Sequence, residues 1–124
     1  MAKPLQWAAV CAALSVVASA TAQASSNSRA QTVVTKTLLA SEAQKECFSL
    51  TNHQRLHYRF RSDGPLDFKL SHEDDREVID VRSNRTDSAE GTFTPKKTAD
   101  HCLVWTNTGN RAVTLHYEFR RGPR

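Results

Sequence analysis

The sequence predicts an all-β protein: an antiparallel β-sandwich of about eight short strands, preceded by a cleavable signal peptide. Three observations predict it. Strand-like units recur at intervals close to ten residues along the 124-residue chain. No stretch carries an apolar period of helical length. Two cysteines, Cys47 and Cys102, stand one early and one late, as a bridge across a sandwich requires. The length supports one compact domain, which excludes multidomain enzymes, coiled coils and bundles of transmembrane helices.

Residues 1–22 read as the leader. Lys3 supplies the positive start, Leu5 to Ala18 the apolar stretch, and ASATAQA the small-residue exit, with cleavage expected after Ala22 and with Ala20 and Ala24 as neighbouring options. Cys11 lies inside the apolar stretch and leaves with it. No second apolar run is long enough to cross a bilayer, so the mature chain is expected to be periplasmic or secreted, with no transmembrane segment. Loss of Lys3 lowers the 17 Lys and Arg residues to 16 against 13 acids, and the formal charge from +4 to +3. That mild value does not indicate nucleic acid.

Residues 23–31 are polar and small, and read as a flexible N-terminus. The domain is expected over residues 32–120, followed by a basic tail at residues 121–124. TVVTKTLLA (Thr32 to Ala40) is β-branched and opens the domain as a strand. SEAQKE (Ser41 to Glu46) is a polar connection or a single helical turn, and CFSL (Cys47 to Leu50) is a short strand. RLHYRFR then alternates strictly, with Leu56, Tyr58 and Phe60 on one face and Arg55, His57, Arg59 and Arg61 on the other. SDGP (Ser62 to Pro65) has turn chemistry, and LDFKL alternates again with Leu66, Phe68 and Leu70 inward, so a hairpin or a tight turn between sheets is expected at SDGP.

HEDDRE (His72 to Glu77) reads as an acidic loop and VIDV (Val78 to Val81) as a strand. Arg82 to Glu90 is polar and carries an Asn-Arg-Thr sequon at Asn84, a glycan acceptor on a surface loop if the host is a eukaryote. GTFTP (Gly91 to Pro95) makes a short strand. HCLVWTN (His101 to Asn107) is nearly continuous in its apolar character and is expected to be central and covered on both faces, with Trp105 as its anchor. TGNR turns the chain, and AVTLHYEFRR ends it with Val113, Leu115, Tyr117 and Phe119 inward.

The two mature cysteines are even in number, and one disulfide is the economical reading in an oxidising compartment. Two buried thiols or a metal site are the alternatives. Neither cysteine has a CxxC or CxxH partner, and His101, adjacent to Cys102, points to the opposite strand face.

KECFSL, the alternating strand ending in SDGPLDF, GTFTP, and HCLVWTN followed by TGNRAVTLHYEF resemble, in order and spacing, the Golgi-dynamics (GOLD) domain over Thr37 to Phe119. The resemblance implies a β-sandwich with Cys47 and Cys102 as its disulfide, Gly91 and Phe93 as the segment before the last strands, and Trp105 and Asn107 on the penultimate strand. It implies binding of proteins or lipids. The coiled coil, transmembrane helix and coat-binding tail of the cargo receptors do not follow the domain in this sequence.

No serine sits in a G-x-S-x-G elbow. Glu73, Asp74, Asp75 and Glu77 crowd beside Arg76 without the alternating acids and central glycine of a calcium loop. A non-enzymatic protein without a cofactor is therefore expected. The row Arg55, Arg59 and Arg61 suits bidentate capture of phosphate, carboxylate or sulfate, although charge protecting a solvent-facing edge strand is the commoner use of such a row. An unidentified protein or envelope component is the expected partner. The alternative is metal binding: of His53, His57, His72, His101 and His116, the residues His57 and His116 lie on polar faces and meet if their strands pair, although no H-x-H or H-x3-H spacing is present.

Overall fold

A computed structural model describes residues 31–124; the leader, its cleavage site and residues 23–30 lie outside the described residues. The described chain is all-β: β1 (Gln31–Leu38), β2 (Ala43–Leu50), β3 (Gln54–Glu73), β4 (Glu77–Phe93), β5 (Ala99–Thr106) and β6 (Val113–Pro123). All pairings are antiparallel, and the sheet, ordered β1-β6-β3-β5-β2 with β4 also on β3, curls into a half-barrel.

Six strands replace the expected eight, because two of them are long. β3 pairs with β6 from Gln54 to Ser62 and with β5 from Asp67 to His72, so SDGP is a corner within one strand and not a hairpin. The inward parity runs unbroken through Phe60, Ser62, Gly64, Leu66 and Phe68. The two inward positions at the corner carry the smallest side chains, which lets the strand bend over its own core. A Cβ on Gly64 would lie 2.9 Å from Val113 Cγ2, so nothing larger than glycine fits without displacement. The Asp63 carboxylate accepts the Thr114 amide at 2.8 Å as β3 departs from β6.

The hairpin falls instead at Asp74–Arg76, between β3 and β4, where Lys97 pairs with Asp74. β4 runs on through the polar segment expected to be a loop. Its inward residues opposite β3 include Ser83, Thr86, Ala89 and Gly91, too small and polar to produce an apolar period. Asn84 is exposed on this strand beside a bulge at Arg85, where φ is 55° and the Arg85 amide donates to Asp67 at 2.9 Å. β2 likewise begins at Ala43 rather than Cys47. Its inward Gln44 and Glu46 are polar and hide the period, because both reach the Tyr117 hydroxyl. β5 is central, yet only one of its faces is covered: His101, Leu103 and Trp105 are buried while Cys102, Val104 and Thr106 are half-exposed.

The core joins the two halves of the curled sheet. Leu38, Leu50, Leu56, Phe60, Leu66, Phe68, Leu70, Leu103, Trp105, Val113, Leu115, Tyr117 and Phe119 are buried in one cluster. Trp105 of β5 stacks on Tyr117 of β6 at 4.2 Å between centroids, and Phe48 of β2 on Phe119 at 5.1 Å. The Tyr117 hydroxyl donates to Glu46 at 2.5 Å and accepts from Gln44 at 2.8 Å. Burial first, and Glu46 second, hold that hydroxyl well above the ordinary tyrosine range, so it stays a donor.

Asn107 knots the end of the half-barrel. It is fully buried, and its amide nitrogen donates to the carbonyls of Leu38, Leu39 and Arg111 at 3.0, 3.2 and 2.7 Å. Its Oδ1 accepts the Gly109 amide at 3.0 Å. The β1–β2 connection, where Ser41 has a φ of 71°, is held by the Asn107 backbone on both sides.

Cys47 and Cys102 face each other across β2 and β5 and are bonded, 55 residues apart in sequence. They lie on the solvent side of the sheet, with Cys47 exposed. Because the bridge packs little apolar surface, its contribution is chiefly the restriction of the unfolded chain. Cys47→Ser is expected to cost about 2–4 kcal/mol, and urea unfolding of the variant beside the oxidised and reduced wild type checks it; reduction should reproduce the loss.

Candidate functional site

Register fixes the composition of the outer sheet face. Three cross-strand rows run over β1, β6, β3 and β4: Gln31, Arg120, His57 and Thr92; then Val33, Glu118, Arg59 and Glu90; then Thr35, His116, Arg61 and Ser88. Arg55 extends this face beyond the first row, opposite Gly122. Arg55, Arg59 and Arg61 thus share one solvent-facing side, but on a central strand flanked by β6 and β4, not at an edge.

Their electrostatic situations differ. Arg59 is ion-paired with Glu118 and has Glu90 on its other side. Its charge is compensated by a pair that stays open to solvent, the Arg59 side chain being 67% exposed. Arg55 and Arg61 are exposed, and Arg120 stands opposite His57. Partial desolvation, then the charges of Arg120 and Arg55, lower the His57 pKa from its ordinary 6.5. Two guanidinium groups thus stand close to the imidazole at this end of the face. A shallow depression of about 280 Å³ opens there, floored by His57, Arg59, Glu118 and Arg120. Gly91 belongs to its rim, and a Cβ at Gly91 would fall 2.6 Å from the Tyr58 hydroxyl, so the phenol lies against the bare backbone of β4.

His57 and His116 do not meet. They face Arg120 and Arg61 respectively, four residues apart along the ladder, or about 13 Å. Each ring is instead taken by a threonine: His57 Nδ1 by Thr92 at 3.1 Å and His116 Nδ1 by Thr35 at 2.9 Å.

A different histidine pair does converge. His72 of β3 and His101 of β5 are register partners on the core side, with ring centroids 5.0 Å apart. Asp80 of β4 joins them: its Oδ2 is 2.7 Å from His72 Nδ1 and 3.9 Å from His101 Nε2. A bulge brings it there. Leu70 faces Val81 and the next residue, Ser71, faces Ile79, so Asp80 is the extra residue of β4. His101 is buried, and the His72 and Asp80 side chains are 13% and 15% exposed. The sequence gives little signal for this cluster, because a bulge cannot be read from period-two alternation. The position of His72 two residues beyond Leu70, and of His101 two before Leu103, was the usable hint: both extend an inward row.

Fold and site together define a small antiparallel β-domain with a disulfide-bridged outer face. No protein-family model matches the chain, and no curated protein matches its sequence. No helix among the described residues is long and apolar enough to cross a membrane.

Proposed function

We propose that this chain is a small exported, non-enzymatic binding module of GOLD-like sandwich type, whose arginines on the outer β1/β6/β3 face hold the acidic groups of an envelope component or partner protein. The observation that carries this reading is the division of the arginines. Arg59 is ion-paired with Glu118, whereas Arg55, Arg61 and Arg120 are exposed with no carboxylate partner among the described residues, and Arg55 and Arg120 flank His57. Guanidinium forks unspent in the fold are suited to planar carboxylate, phosphate or sulfate groups. Exposed Val33, in the same row as Arg59, adds apolar contact area on β1. The solvent-facing disulfide is in keeping with an oxidising compartment.

The test compares crosslinked partner recovery from native envelope by wild type, by a combined Arg55→Ser, Arg61→Ser and Arg120→Ser variant, and by Arg59→Ser. Recovery is expected to fall at least tenfold in the combined variant and less than twofold in Arg59→Ser. Equal recovery by all three defeats the reading.

A further inference from the structure

We propose that His72, Asp80 and His101 form a binding site for a divalent late first-row transition ion, Zn²⁺ or Cu²⁺, with two imidazole nitrogens and one carboxylate oxygen as ligands. One ligating atom from each residue can be chosen so that all three lie within 4.8 Å of one another. The residues come from three different strands, and one is placed by a bulge, so the convergence is a product of the tertiary fold.

The tautomer of His101 supports the assignment. His101 Nδ1 lies 3.0 Å from the Ala99 carbonyl, a group that only accepts, so Nδ1 carries the proton. Nε2 is left as a lone pair facing Asp80 Oδ2 at 3.9 Å. Two electron-rich atoms at that separation leave room for a cation held by both. Metal–ligand bonds of about 2.1 Å place ligand atoms roughly 3.4 Å apart at the tetrahedral angle and up to about 4.2 Å apart when opposed. The 3.9 Å gap lies inside that span, while the 2.7 Å between His72 Nδ1 and Asp80 Oδ2 has to widen by about 0.7 Å. Fixing a ligating histidine through a backbone carbonyl on its second nitrogen is the usual outer-sphere arrangement at such ions.

His72 contributes Nδ1, and the ion takes the place of the proton that Nδ1 shares with Asp80, which leaves to solvent. Phe93 lies 5.5 Å from the His101 ring and supplies an apolar wall on the core side. The partial exposure of His72 and Asp80 gives the ion a way in. Nitrogen and oxygen donors without thiolate suit Zn²⁺ or Cu²⁺, and three ligands leave a position for water. The disulfide removes both cysteines from competition.

The test uses untagged, oxidised, chelator-treated protein and the metals alone. Equilibrium dialysis against Zn²⁺ and Cu²⁺ is expected to give one ion per chain. Asp80→Asn and His72→Gln, both near-isosteric and checked by near-ultraviolet circular dichroism, are expected to weaken binding more than the ~10–100-fold associated with outer-sphere changes. The double variant His57→Gln, His116→Gln should bind as wild type. A measurement on the wild type alone guards against folding defects in the variants: electron paramagnetic resonance of the Cu²⁺ form should show hyperfine coupling to two imidazole nitrogens. No stoichiometric uptake, a spectrum with fewer than two nitrogens, or retention in folded Asp80→Asn with loss in the His57/His116 variant each overturns the site.

Discussion

Asn107→Ala is expected to destabilise the protein by roughly 5 kcal/mol, since an unsatisfied buried polar group costs about 1–3 kcal/mol and four hydrogen bonds end on this side chain. The side chain is completely buried and ties the β1–β2 connection to the β5–β6 turn. Asn107→Asp separates hydrogen bonding from volume. It conserves size but sets an acceptor against three carbonyl oxygens, and should lose at least as much as alanine. Chemical denaturation of both variants with the disulfide intact is the measurement. An aspartate variant within about 1 kcal/mol of wild type, against the several kcal/mol expected from leaving buried polar groups unpaired, would show that the knot is not held by these bonds.

Trp105→Ala is expected to cost about 4–5 kcal/mol, the upper part of the range for removing a buried aromatic side chain. Trp105 touches both halves of the sheet: it packs against Phe60 and Phe68 of β3 and stacks on Tyr117 of β6. Its loss therefore opens a cavity at the junction of the halves, where neither can collapse without the other. Trp105→Phe provides the contrast. The indole Nε1 is the buried side-chain nitrogen or oxygen among the described residues that lacks a hydrogen-bond partner. Phenylalanine removes that uncompensated donor while keeping an aromatic ring, so its cost should stay near 1–2 kcal/mol. Thermal unfolding followed by calorimetry distinguishes the two; equal losses would mean that ring volume at the junction is not what matters.

The all-β class, the inward rows of β3 and β6 and the pairing of Cys47 with Cys102 were legible because each depends on parity or simple counting. Leu56, Tyr58, Phe60, Val113, Leu115, Tyr117 and Phe119 announce their faces at every second residue. What was not legible shares one cause. At Gln44, Glu46, Ser62, Gly64, Ser83 and Thr86 the inward side chain is polar or small for a reason supplied by a distant strand, such as the Tyr117 hydroxyl above Glu46 or the Val113 methyl against Gly64. Propensity therefore divided β3 at a corner and dissolved β4 into a loop. The arginine row was visible as a row, but its division was not, because Glu118 is 59 residues from Arg59. The separation of His57 from His116 is likewise a matter of register, and the approach of His72, Asp80 and His101 depends on one extra residue in a ladder.

β1 and β6 pair from Gln31 with Arg120 to Leu38 with Val113, so the first and last strands of the domain are neighbours. β3 and β4 belong to both halves of the sheet at once. No contiguous piece of this chain holds a complete set of partners. The β3–β4 hairpin can form locally, but every other pairing has to close a long loop before it gains anything in return, which places the domain among slow folders. An unfinished chain lacks β6, the strand that joins the first strand to the centre of the sheet, so the last residues to be made are the ones that lock the domain.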